Sequence, residues 1–469
     1  MMGFQVVLLW SDLLIWLLVA AGFGFGWLIA RNPPLLAAWR RVGANRVGMA
    51  SATVLLVFVA IGLLDSLHYR VKLDGKAGQK PAYAVEVLSL LDALVTPLRT
   101  RNEKTYSAPF ATRLYAKESI DLPGQGTVRD YPRLKHGGKH LGEREDEVGS
   151  DVALTAFRAG VLALLGWLAV FGAIGFFRRR QAFLAGDVVS GQGPVAPDTG
   201  FAWGAVLGTL ALILLFAVPL FWLSGQYHVF GTDKVGQDVL YQILKSVRTG
   251  LIIGLVTTLV MLPMAVLLGI VAGYFRGWVD DLIQYVYTVL NSIPGVLLIA
   301  AAVLMMQVVI DTHPQWFSTA AERADLRLLA LCFILGMTSW TGLCRLLRGE
   351  TLKLRELEYI QAAQAFGVSN WRIIVRHILP NLMHIVIIAL VMDFSGLVLA
   401  EAVLSYVGIG VDPSMTSFGT MINNARMELG REPVVWWSLA AAFAAMFLLV
   451  LAANLFADGV RDAFDPRAQ

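Results

Sequence analysis

The sequence predicts an all-α polytopic membrane protein, and three observations carry that prediction. Of the 469 residues, 57% are hydrophobic and only 15% charged, with a mean hydropathy of +0.64, more apolar than a water-soluble chain of this length requires. Nine segments provide the roughly 20 apolar residues that a helix needs to cross the hydrocarbon layer. They fall at about 5–30, 47–67, 154–177, 202–224, 249–274, 282–308, 327–345, 382–405 and 436–457. The runs are continuous rather than alternating, which selects helices over barrel strands.

Taken in order, the first run is too long for a leader's apolar region and lacks a basic flank and a small-residue cleavage site, so it reads as a retained span. Three spans and a large polar insertion at 68–152 occupy residues 1–201. Six spans with short connections occupy residues 202–469. The boundary is placed in the Gly/Pro-rich stretch from Gly186 to Gly200. The insertion opens with an apolar helical patch, Ala84 to Leu98, and continues into KHGGKHLGEREDEVG. That composition suits either a small extracytoplasmic domain or a partly ordered loop, since so polar a segment buries little core.

Short loops that keep Arg and Lys face the cytoplasm. Arg31, Arg40, Arg41 and Arg46 follow the first run, Arg178 to Arg180 the third, and Arg345, Arg348, Lys353, Arg355, Arg372 and Arg376 surround residues 346–381. This places the N-terminus outside, the C-terminus in the cytoplasm, and residues 68–152, 225–248, 309–326 and 406–435 outside. Arg70, Lys72 and Lys76 then lie outside, which long translocated segments tolerate. The net charge of +4 reflects this loop bias. Scattered basic residues are no nucleic-acid footprint; so apolar a chain has membrane lipid as its surroundings and partner.

Metal and redox chemistry find little support. Cys332 and Cys344 fall in one predicted span and read as small buried hydrophobes. His136 and His140 have helical ligand spacing, but the glycines around them argue for a solvated pair. Ionisable residues inside spans cost about 2.5–3.5 kcal/mol at mid-bilayer. Asp12, Asp393 and Glu401 are such residues and read as isolated, without a basic partner at matching depth. Asp393 and Glu401 are candidates for the translocation path, with interhelical hydrogen bonding as the competing role.

The segment EYIQAAQAFGVSNWRIIVRHILPN, residues 358–381, lies between long apolar runs. It predicts a short helix over about 358–365, a bend at Gly367, and a second helix that Pro380 stops. Elsewhere stand Phe230-Gly231-Thr232-Asp233-Lys234-Val235-Gly236-Gln237-Asp238-Val239-Leu240, Arg248-Thr249-Gly250-Leu251 with Gly269, Asp280-Asp281 with Ser292-Ile293-Pro294, and Ser339-Trp340-Thr341. Glu401-Ala402 with Leu404 to Gly410, and Arg461 to Arg467, complete the series. Together, and in this order, these motifs resemble the dipeptide/oligopeptide/nickel class of ATP-binding-cassette importer permeases over residues 228–467, in particular the second, C-type subunit. The chain departs from the usual pattern with Gln237 in place of Arg, Gln361 in place of Glu, and three extra N-terminal helices beside the six-helix core. Of two candidates for the first core helix, the second span, preceded by Arg40 to Arg46, and the fourth, the fourth is favoured because it leads directly into the Gly231 segment.

The resemblance implies a type I importer permease that moves peptides across a bacterial inner membrane. It implies no catalytic residue in this chain, with ATP and magnesium held by two separate cytosolic ATPases. No G-x-x-x-x-G-K-[ST] motif occurs in the sequence. The other implied partners are a second homologous permease and an extracytoplasmic substrate-binding protein. The ATPase-coupling role falls on Gln361, Ala362, Ala363, Gly367, Leu379 and Pro380. Gly231, Thr232, Asp233, Gly236 and Asp238 form the external gate or binding-protein segment, read either as a short helix capped by Thr232 or Asp233 or as a simple helix start. The alternatives are a proton- or sodium-coupled secondary carrier, whose inverted repeats are not evident, a permease for nickel or another non-peptide solute, and a membrane hydrolase or sensor, for which the chain shows no catalytic set.

Overall fold

The computed structural model describes residues 4–73, 83–122, 126–142, 144–184, 201–317 and 319–464. In chain order the elements begin with β1 (Phe4–Val7), α1 (Trp10–Arg31), α2 (Pro33–Ala44), α3 (Arg46–Asp65), β2 (His68–Val71), β3 (Leu88–Ser89), α4 (Leu90–Leu94) and α5 (Thr96–Thr100). There follow β4 (Glu118–Leu122), β5 (Gly126–Asp130), α6 (Val148–Leu184), α7 (Trp203–Ser224), α8 (Val239–Phe275), α9 (Gly277–Ser292), α10 (Gly295–Thr312), α11 (Ala320–Ser339) and α12 (Thr341–Arg355). The chain closes with α13 (Glu358–Ala365), α14 (Asn370–Ile373), a π-helical turn (Ile374–Ile378), α15 (Leu379–Val407), α16 (Phe418–Glu428) and α17 (Trp437–Phe464).

Nine stretches of the described residues are long and apolar enough to cross a membrane, and each of the nine expected spans has its counterpart. Three differ in detail. Residues 4–7 are not the start of the first span but a strand, paired with β2 and through it with β3. The span expected at 282–308 is broken at Ile293, which is extended ahead of Pro294, because a residue before proline is pushed out of the helical region. Only α10 crosses, while α9 is an amphipathic helix ahead of it. The apolar patch from Ala84 to Leu98 forms two short helices, α4 and α5, rather than one.

Loops of the described residues gather on two faces. On one, the insertion meets the segment before α8 (Glu103 N donates to Gly236 O) and the segment before α17 (Tyr115 hydroxyl to Val434 O, 3.0 Å). On the other, Trp39 of α2 packs edge-on against Phe464, and Ala202 N donates to Gly43 O at the foot of α7.

The fourth span is not the one that lies in the core. Phe58 of α3 shares a buried cluster with Val247 and Leu251 of α8, Val398 of α15, Phe418, and Leu449 of α17, whereas α7 packs on α6 and α3. By packing, then, α3 and not α7 stands beside α8 and α17, and α1, α6 and α7 are read as the extra helices. Nor does the division at 201/202 separate packing units. Gly62 of α3 sits so close to α8 that a Cβ there would lie 2.5 Å from the Leu251 side chain.

Buried charge networks hold the additions in place. Asp12, expected to be isolated, is fully buried and pairs with Arg248 of α8 (2.6 Å) and with His68 Nδ1 (2.7 Å). Neighbouring Ser11 accepts from Arg248 (2.8 Å) and bonds the Asp325 carboxylate of α11 through its hydroxyl and backbone N–H. One helical turn before Arg248, Lys245 pairs with Asp65 of α3 (2.6 Å) and with Asp92 of the insertion (3.2 Å). Tyr241 donates to Asp92 as well (2.8 Å).

A third network docks the polar stretch whose order the composition left open. Glu103 accepts from the backbone N–H groups of Lys135, His136 and Gly137 and faces His228 Nε2 at 3.4 Å, while His228 Nδ1 meets Asp238 at 2.7 Å. Burial by itself would raise the Glu103 carboxyl, but the His228 bond and the three amides outweigh it and bring it to about 2. Burial likewise works against charged His228, and the two carboxylates overcome it, lifting the imidazole to about 9. His140, instead of lying free in solvent beside His136, pairs with Asp151 at 2.9 Å.

Two outcomes follow from these networks. Asp12→Ala leaves the Arg248 guanidinium buried without its carboxylate and should destabilise the fold by about 3–5 kcal/mol, read as a lowered Tm in detergent, with Asp12→Leu/Arg248→Met recovering part of the loss. The His228 contribution, about 3 kcal/mol by linkage, is complete below the ordinary histidine range and lost as pH rises through about 9. The Glu103 contribution is present above the ordinary carboxylate range and lost only as pH falls toward about 2. Intrinsic-rate-corrected hydrogen exchange of residues 103–138 should therefore accelerate between pH 7 and 10, and His228→Gln should flatten that dependence.

Candidate functional site: the knob after α12 and the loop before α8

The expected helix at 358–365 is α13, and its C-terminus closes as a Schellman motif. Val368 N–H bonds Ala363 O, Gly367 N–H bonds Gln364 O, and Gly367 adopts φ +73°, the left-handed conformation that favours glycine. No atom stands within 4 Å of a Cβ built there, so backbone conformation, not space, requires the glycine.

The second half of the knob differs from expectation. Pro380 does not stop a helix; it lies in the first turn of α15, where its missing N–H costs little. The chain runs from α14 through the π-helical turn Ile374–Ile378 into α15. The wider turn skips the hydrogen bond that a proline denies to a regular helix. Leu379 and Pro380 are thus the junction between knob and span.

Ile360, Ile373, Ile374 and Ile378 anchor the knob, buried with Tyr274 and Leu347 in one cluster. Polar contacts fix its tilt. The Tyr274 hydroxyl donates to Asn370 Oδ1 (3.0 Å) and accepts from Gln364 Nε2 (3.2 Å), while Arg355 donates to Tyr274 O (2.7 Å). Below them Gly269 and Gly273 bring α8 against α12. A Cβ on either would lie 2.8 Å from Cys344 O or 2.6 Å from Thr351 Cβ. Arg348 of α12 grips Asp280 of α9 with two bonds of 2.5 and 2.7 Å, and that hydrogen bonding holds the Asp280 carboxyl below its usual range.

Among exposed polar residues such as Glu358, Arg372 and Arg376, the knob presents a cluster of large apolar side chains. Phe366 is 87% exposed, and Leu357, Tyr359, Trp371 and Val375 are exposed around it. Gln361 and Ala362 are also exposed and Ala363 half-buried; Gln361 Nε2 donates to Glu356 O. Of these residues the sequence singles out Gln361, Ala362 and Ala363. The others gave a signal only as large apolar residues in a basic, polar segment.

The segment Gly231 to Asp238 is a loop, not a short helix. An antiparallel bridge joins Thr232 to Asp238, and the residue that caps α8 is Asp238, which accepts from Leu240 N–H (2.8 Å). Asp233 instead braces the loop from within, accepting from the N–H groups of Val235 and Gln237 and from Gln242 Nε2. Thr232 is fully buried: its hydroxyl donates to Thr105 O (2.9 Å) and accepts from Ser107 N–H (2.7 Å). Gly231 and Gly236 have φ of +70° and +76°, and a Cβ on Gly236 would lie 1.9 Å from Glu103 O. The insertion lies over the loop, leaving Lys234 and Val235 exposed.

The two span carboxylates separate. Glu401 is buried and accepts from Ser405 (2.6 Å) and from Ser417 at the start of α16 (2.8 Å), a contact within the packed bundle. Asp393 lies half-buried on α15. Cys332 and Cys344 are both buried and free, on the consecutive helices α11 and α12.

Residues 265–469 match the family model described as binding-protein-dependent transport system inner membrane component. The glutathione transport system permease protein of Pectobacterium atrosepticum is 35% identical over 242 residues, 51% of this chain and 73% of that protein. The oligopeptide transport system permease protein of Mycobacterium tuberculosis is 32% identical over 245 residues, 52% of this chain and 78% of its own length. The dipeptide transport system permease protein of Lactococcus lactis subsp. cremoris is 31% identical over 241 residues, 51% and 64% of the two chains. With a bundle of membrane-spanning helices, a capped knob between α12 and α15 and these relatives, the chain belongs to the inner-membrane permease components of binding-protein-dependent transport systems.

Proposed function

We propose that this permease carries peptides inward across a bacterial inner membrane, driven by two cytosolic ATPases that hold the ATP and magnesium, with a second, homologous permease beside it and a substrate-binding protein outside. The observation that carries the reading is the knob: a Schellman-capped, four-isoleucine-anchored projection with Phe366 standing in solvent. A large exposed apolar patch on a rigid support is what a partner surface looks like before the partner binds. Gln361, Ala362, Ala363 and Gly367 shape the part that enters the ATPase groove, and Leu379 and Pro380 pass its displacement to α15. The same reading puts the knob, α2 and the C-terminus in the cytoplasm and the N-terminus and insertion outside.

The peptide class rests on relatives named for dipeptides, oligopeptides and glutathione. On the outer side, the insertion with exposed Lys234 and Val235 meets the binding protein, and the buried residues Gly231, Thr232, Gly236 and Asp238, with Asp233 inside the loop, hold that surface in register with α8. Asp393 is the candidate for the path; Glu401 acts by positioning α16.

The test is uptake of a labelled peptide library into proteoliposomes containing the full assembly. Transport should require ATP and binding protein; uptake by the chain alone on an ion gradient, or of nickel chelates but not peptides, would overturn it. Phe366→Glu should lower ATPase retention in pull-down about tenfold, or about 1.4 kcal/mol, without moving Tm. Gly367→Val, which adds about 1–2 kcal/mol of left-handed strain, should reduce peptide-stimulated ATP hydrolysis while the subunits still co-purify.

A further inference from the structure

α7 and α17 both pack on α3, and between them runs an open furrow of about 330 Å³. Its walls are Val47, Ala50 and Val54 of α3, Thr209 of α7, and Leu451 and Leu455 of α17. At its end, where α3 begins, stands Arg46. Arg46 is exposed, and among the described residues no carboxylate pairs with it, in contrast to Lys245 and Arg248 of α8. Arg40 and Arg41, just before it at the end of α2, are exposed as well.

The furrow is built rather than incidental. Asn45 caps α3 through a 3.0 Å bond from Gly48 N–H, and α17 crosses there so closely that a Cβ on Gly459 would lie 3.2 Å from Gly48 Cα. The foot of α7 is pinned by the Ala202 to Gly43 hydrogen bond and by Phe201, whose ring would be 2.8 Å from a Cβ on Gly43. From Arg46 to Val54 the helix rises about 12 Å, close to one leaflet of a hydrocarbon core about 30 Å thick. An apolar furrow about one leaflet deep, with the Arg46 guanidinium at its headgroup end, has the depth to seat an acyl chain and the charge to meet the phosphate of an anionic phospholipid.

We propose that this furrow binds one anionic phospholipid, its acyl chain lying along α3 between α7 and α17 and its phosphate on Arg46. Such a lipid would mortar the added α7 to the core through α3. The proposal rests on the membrane spans and not on the ATPase reading, so its failure leaves that reading untouched.

The test is native mass spectrometry of the assembled transporter from nanodiscs holding phosphatidylglycerol and phosphatidylcholine in equal amounts. One phosphatidylglycerol should be retained preferentially. Arg46→Gln should lower its retention about fivefold, the worth of about one interfacial charge, whereas Arg31→Gln, which alters an arginine stacked on Trp27, should not. Ala50→Phe and Thr209→Phe, chosen to fill the channel, should each remove the retained lipid, provided size-exclusion profile and Tm match the wild type. Equal retention of both lipids, no effect of Arg46→Gln and of either filling variant, displacement by inorganic phosphate alone, or loss of the lipid when the second permease joins would each overturn the assignment.

Discussion

The close approach of α8 to α12 is the constraint from which most of this architecture follows. Gly269 and Gly273 leave no room for a Cβ against Cys344 and Thr351, so the two helices meet backbone to backbone as one packed body. At one end that body carries the knob, seated through Tyr274 and Arg355. At the other, the same α8 carries Tyr241, Lys245 and Arg248 into the outer charge networks. A single long helix therefore connects the base of the knob with the surface that lies under the insertion.

Charge placement obeys the low dielectric of the surroundings. Lys245 and Arg248 have partners drawn from elements far away in sequence: Asp12 on α1, Asp65 on α3 and Asp92 in the insertion. Each pair gains little over a well-packed apolar substitute but is costly to break. The pairs thus fix which helix sits where more than they add to stability. The knob differs: isoleucines pack beneath it, while Phe366 and other large apolar side chains stand exposed among its polar residues.

Much of this could be read from the residues alone. The nine spans were legible because hydrophobic length is a local property, and α13 with its bend was legible because a left-handed cap needs glycine at one position. What escaped the reading was non-local. Asp12 looked isolated because its partner Arg248 lies on another helix and fell, by sequence, just outside the fifth span, which the structure extends to Val239–Phe275. The second and fourth spans are equally apolar, so only packing shows that α3 is the one in the core. Pro294 and Pro380 carry the same local signal, yet one breaks a span and the other begins one, which depends on whether the residues upstream can rearrange their hydrogen bonds, as the π-helical turn does. Order in the insertion came from Glu103 gathering three backbone amides, an arrangement that composition does not encode.

The sequence positions of the paired charges also bear on how such a chain is made. Asp12 and Asp65 belong to the first helices synthesised, whereas Lys245 and Arg248 emerge only after the insertion and the α6 and α7 hairpin are complete. Both carboxylates sit at helix ends on one face, where water can hydrate them while they wait. The cations then enter a bilayer in which their counter-ions are already stationed, so α8 arrives at a prepared berth.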